Sequence, residues 1–148
     1  MTHATVTSPT TYTDVRRPAL AAVLLSAAMT VFLVIRDTND GPAWRVSLVL
    51  SATVAILSWI VFGATVRRTL AKDSAAASAQ RALILGVLAA LSLLAFWMAI
   101  TPVFAIAALV LAGHARGRHP EGAPRHAAIG AGLAACGLIA GLVLSVVG

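Results

Sequence analysis

Charge is what this chain has least of. Only 11% of its 148 residues are Asp, Glu, Lys or Arg, where a soluble domain carries about a quarter. Acidic residues number five, and Lys72 is the one lysine beside ten arginines. A water-soluble protein of this size has too little interior to hide long uncharged segments, so a soluble globular domain is excluded. The single cysteine, Cys136, excludes an intrachain disulfide and leaves the redox compartment unread. Aromatics make up only 5%, and no basic stripe is interleaved with them. That argues against nucleic acid as a partner, despite a net charge of +6.

What the chain does have is apolar sequence punctuated by arginine, with a mean hydropathy of +0.92. Residues 1–17 are polar and Thr-rich, with little to bury, and read as a disordered tail. Arg16 and Arg17 then precede an 18-residue apolar run, 18–35, closed by Arg36. Pro18 suits a first helical turn. A cleaved signal peptide is the competing reading, but the apolar core is long for one and no small-x-small site follows it. The connection 36–45 has turn chemistry in Asp37, Asn39, Asp40, Gly41 and Pro42, with Trp44 and Arg45 as interfacial anchors. A 21-residue run, 46–66, ends at Arg67 and Arg68. After a basic segment in which Asp73 or Ser74 could cap a helix comes a 31-residue run, 82–112, with no charged side chain. A loop rich in Gly, Pro, Arg and His follows, and then a last run, 127–147. The expected fold is an all-α polytopic membrane protein. It has one domain, 18–148, with four transmembrane helices near 18–35, 46–66, 82–112 and 127–147 in two antiparallel hairpins.

The third run has the wrong length. As one straight helix it would extend roughly 46 Å at 1.5 Å per residue, against a hydrocarbon core about 30 Å thick. Pro102 lies two-thirds of the way along, where it would kink or break a helix. Four crossings with a tilted third helix, kinked or broken at Pro102, are the reading adopted. The positive-inside rule puts the N-terminus in the cytoplasm, but this topology leaves six Arg and Lys inside and five outside. If the chain turns at Thr101-Pro102 instead, and 103–112 re-enters as a half-helix, the tally becomes nine inside and two outside. A backbone break at depth must then be covered by protein. The Ala-, Val-, Leu-, Gly- and Arg-rich composition suggests a GC-rich bacterial genome, and hence the bacterial cytoplasmic membrane.

Two sets of residues stand out. In the last run, Gly130, Ala134, Gly137, Gly141 and Ser145 fall on one helical face. Small residues let helix backbones approach where no hydrophobic effect drives association. Ala22, Ser26 and Thr30, then Ser47, Ser51, Ala55 and Ser58, and Gly86 with Ala90 repeat the pattern more weakly. Such faces serve either an oligomer or partner interface, or packing within the chain. The second set is His114, His119, Glu121 and His126, which could bind a divalent metal or sense pH. The plainer reading is a solvated basic loop meeting anionic headgroups. No Asp, Glu, Lys, Arg or His lies within any apolar run. Proton- and ion-coupled transporters and most membrane enzymes need such groups at depth, so neither an enzyme nor a cofactor is expected.

The second half resembles hairpins of small multi-pass membrane proteins of actinobacteria. The matching residues are Pro102, the return segment 103–111, Gly113-His114, the basic loop from Arg116 to Arg125, and Ala128-Ile129-Gly130. That family has no assigned activity, so the resemblance implies a class and no mechanism. The expected function is a non-catalytic accessory or scaffold subunit, joined to itself or to a membrane complex through small-residue faces. The alternative is a small oligomeric transporter or channel with a hydroxyl-lined path.

Overall fold

The computed structural model describes residues 13–36, 43–71, 74–93, 100–118 and 125–147. The first helix is α1, Thr13–Arg36. Helix α2, Ala43–Ser58, runs on without a break through a π-helical segment, Trp59–Val66, into α3, Arg67–Ala71. Then come α4, Ala75–Leu91, α5, Thr101–Arg118, and α6, Arg125–Val147. Among the described residues, three stretches are long and apolar enough to cross a membrane: Val15–Phe32, Leu48–Ala71 and Arg125–Leu144. Helices α4 and α5 are apolar but shorter.

The long helix expected over 82–112, kinked or broken at Pro102, is two helices, and the break lies ahead of Pro102. Helix α4 starts upstream of that run, where Ser74 caps it in extended backbone and accepts a hydrogen bond from the Ala77 N–H at 3.3 Å. It ends at Leu91, with Ser92 and Leu93 tightening into 3₁₀ geometry. A new helix opens at Thr101. Pro102 therefore does not kink a helix; it is the second residue of α5, where its missing N–H is unneeded and its fixed φ already suits a helix. The Val103 N–H closes that first turn by donating to the Ile100 carbonyl at 3.1 Å. The described residues thus build five rods where four were expected. The loop expected at 113–126 is shorter too, because α5 runs on through Gly113 and His114 to Arg118. At the other end, α1 begins at Thr13, so Arg16 and Arg17 are helical and Pro18 lies inside the helix. So near the N-terminus, Pro18 forfeits one backbone bond, the one to the Asp14 carbonyl. Residues 1–12 of the expected tail lie outside the described residues.

Helix α5 is the hub. Val103, Ala105, Ala107, Ala108, Leu111, Ala112 and Ala115 are all buried, and α1, α4 and α6 all pack against it. Five of those seven are alanine, and such short side chains let three neighbours come close on different sides. Helix α4 buries Ala75, Ser78, Ala79, Ala82, Leu85, Gly86 and Ala89, a stripe at spacings of three and four along one face.

The contacts between α4 and α6 fix the direction of the chain. Gly130 sits on Ala82, Gly137 on Ala89 and Gly141 on Leu93. Residue numbers rise together, so α4 and α6 are parallel. The chain between them must come back, and α5 is the return: its first residue, Thr101, meets Ser92 just beyond the last turn of α4. Helices α1 and α2 follow one another in the chain and pack side by side. Helix α1 turns Ala22, Ser26, Met29 and Thr30 inward. Among the described side chains of α2, only Val54 and Ser58 are buried.

Candidate functional site

The stripe on α6 is used inside the chain. Gly130, Ala134, Gly137 and Gly141 are all buried. A methyl group built on Gly130 would lie 2.6 Å from the Ala82 carbonyl, and one on Gly86 would lie 2.4 Å from the Gly130 carbonyl oxygen. These are backbone-to-backbone contacts that no side-chain movement can relieve. At Gly137 the corresponding distance, to the Ala89 carbonyl oxygen, relaxes to 3.3 Å, and at Gly141 the neighbours are side chains of Leu93 and Thr101 at 3.6 Å and beyond. The helices therefore approach most closely at Gly86 and Gly130. The backbone of Ser145 continues α6; its side chain lies outside the described residues.

Hydroxyl groups tie the turn between α4 and α5. Ser92 Oγ lies 2.7 Å from the Ala89 carbonyl oxygen and 2.8 Å from Thr101 Oγ1, and both residues are buried. Elsewhere, hydroxyls bond back along their own helix. Thr30 donates to the Ser26 carbonyl at 2.9 Å and Thr53 to the Val49 carbonyl at 2.8 Å. This is the ordinary way for a hydroxyl to be satisfied in an apolar helix. The Ser26 and Ser78 hydroxyls are buried with no partner among the described residues. At both positions the small size of serine is what the packing uses.

The histidine set is only partly placed. His114 is half-buried near the end of α5, and His126 is exposed at the start of α6. His119 and Glu121 lie outside the described residues. Among the described residues, no group of three or more His, Cys, Asp or Glu comes together as metal ligands would. Cys136 is exposed on α6.

A large recess lies elsewhere, between α1 and the rod formed by α2, the π segment and α3. It is an open groove of about 1060 Å³. Leu20, Val23, Trp59 and Ile60 wall it with apolar surface, Gly63 lies in its floor, and Arg16, Arg67 and Arg68 line it as well. All three arginines are exposed. The antiparallel hairpin places them together, because Arg16 opens α1 and Arg67 and Arg68 close the rod beside it. Within the π segment, Val61, Phe62 and Val66 are buried, and the Arg67 N–H reaches back five residues to the Phe62 carbonyl. Helix segments of this kind are rare and recur at functional sites. Arg81 on α4 donates a hydrogen bond to Thr69 Oγ1, fastening α3 to the bundle. Sequence reading marked these arginines as anchors at the ends of separate runs. It missed the groove, because neither Gly63 nor the π segment carries a local signal that would place α1 opposite them.

No protein-family model matches the chain, and no curated protein or solved structure matches it either.

Proposed function

We propose that this chain is an integral protein of the bacterial cytoplasmic membrane, with its N-terminus in the cytoplasm. It serves there as a non-catalytic accessory or scaffold subunit, associated with copies of itself or with a larger membrane complex. Each of the five rods crosses, so the C-terminal end of α6 is external. Arg16, Arg17, Arg67, Arg68, Lys72, Arg81, Arg116, Arg118 and Arg125 then lie on the cytoplasmic side, leaving only Arg36 and Arg45 outside. Nine against two is the asymmetry that the positive-inside rule asks for. Short α4 and α5 are acceptable as crossings because α5 is shielded by its neighbours and need not match the bilayer alone.

The observation that carries the accessory role is the uneven use of small residues. The stripe Gly130, Ala134, Gly137 and Gly141 on α6 and Ala22, Ser26 and Thr30 on α1 face inward, whereas Ser51 and Ala52 on α2 stay outward beside exposed Leu48 and Val49. That makes α2 a helix able to offer another transmembrane helix a close approach. Extraction in mild detergent, with light scattering and identification of co-purifying proteins, tests it. The expected particle is larger than one chain. Ala52→Leu is expected to shrink it without lowering the unfolding midpoint, while Gly132→Leu, on the open side of α6, leaves it unchanged. A lone chain with no partner contradicts the proposal.

A further inference from the structure

We infer that the groove between α1 and the π segment is a binding site for one anionic phospholipid, its phosphate held by Arg16, Arg67 and Arg68 and an acyl chain laid along Leu20, Trp59 and Gly63. This rests on the membrane reading above but not on the accessory role. Three features select this occupant. First, the groove is amphipathic along its length. Its lining on the rod runs from Ala55 to Ala71, and the part from Ala55 up to Arg68 covers about 20 Å at 1.5 Å per residue. One leaflet of hydrocarbon is about 15 Å deep, half of a core about 30 Å thick. A lipid whose headgroup sits at the arginines would therefore have its chain in the groove down to the midplane.

Second, the charge is one-sided. Arg16, Arg67 and Arg68 line the groove, and Arg17 follows Arg16 on the same helix end. Guanidinium groups match a phosphate oxygen pair in geometry as well as charge. A neutral lipid or a protein helix would leave that match unused. Third, the chain keeps the groove open. A methyl group built on Gly63 meets nothing within 4 Å, and Trp59 is 79% exposed. The hairpin does not close over its own apolar wall.

The test uses Trp59 as the reporter. The full chain carrying Trp44→Phe and Trp97→Phe is reconstituted in phosphatidylcholine vesicles. These contain a small, fixed fraction of either phosphatidylglycerol or phosphatidylcholine with brominated acyl chains, which quench indole on contact. Brominated phosphatidylglycerol is expected to quench roughly fivefold more at equal mole fraction, a preference of about 1 kcal/mol. Arg67→Gln with Arg68→Gln, and separately Gly63→Leu, are each expected to abolish that preference. Gly63→Leu keeps every charge and fills only the space. Equal quenching by the two lipids overturns the inference. So does a preference that survives Gly63→Leu, which assigns it to diffuse surface charge. Shielding of Trp59 from both lipids, with cross-linking between copies, also overturns it by placing a second chain in the groove. If either variant fails to fold, salt titration of the parent replaces it: the preference must fall as ionic strength rises, and a flat response overturns the inference. The membrane reading is checked separately in vesicles made wholly of brominated phosphatidylcholine. Unquenched tryptophan there, in a chain that stays soluble without lipid, would remove that premise.

Discussion

Glycine has two different roles within α6. Gly130 touches backbone, whereas Gly132 has nothing within 4 Å of an added methyl. Gly130→Ala must push α6 away from α4 and is expected to cost about 1–3 kcal/mol, the usual penalty of overpacking. Gly132→Ala is expected to be neutral, or stabilising by up to about 1 kcal/mol through helix propensity. Unfolding in detergent, followed by tryptophan fluorescence, checks both; equal effects would contradict the assigned contact. Sequence periodicity singled out Gly130 as a face residue, because small side chains repeat at helical spacing. It could not identify the partner surface. A stripe facing α4 and a stripe facing another chain read the same, and only the match of Gly130, Gly137 and Gly141 with Ala82, Ala89 and Leu93 decides between them.

At the scale of elements, the break between α4 and α5 is the largest departure from the sequence reading. Hydropathy gives no mark for it, because residues 94–99 are wholly apolar. The available signals were Thr101 and Pro102, which open a helix as readily as they kink one. Ser92 and Thr101 give a direct check. Their hydroxyl oxygens are 2.8 Å apart, whereas residues nine apart in one continuous helix would be separated by about 13 Å of rise. Ser92→Cys with Thr101→Cys, in a Cys136→Ser background, is expected to form a disulfide under mild oxidation. It should still do so after Pro102→Ala, because the proline fits the first turn of α5 and does not cause the break. A pair that stays reduced would restore the long third helix. The π segment was equally unreadable: Trp59 to Val66 is as apolar as any stretch of α2, and only the structure shows Phe62 and Val66 packed into the buried core there.

For the whole molecule, length and charge set most of the result. The scarcity of ionised groups and the arginines at run ends point to a helical membrane protein without any tertiary information. The parallel course of α4 and α6 makes α5 a return stroke and brings its basic end back to the side of Arg67 and Arg68. In the proposed topology, where every rod crosses, Arg and Lys then divide nine and two. The most direct measurement is a pair of alkaline phosphatase fusions, one after Gly148 and one after Pro120. Activity is expected at Gly148 and none at Pro120, with the opposite pattern for a fluorescent protein that matures only in the cytoplasm. Activity at Pro120 with silence at Gly148 would mean that the chain passes from Ala75 to Arg118 in one stroke, and the five-rod arrangement would be wrong.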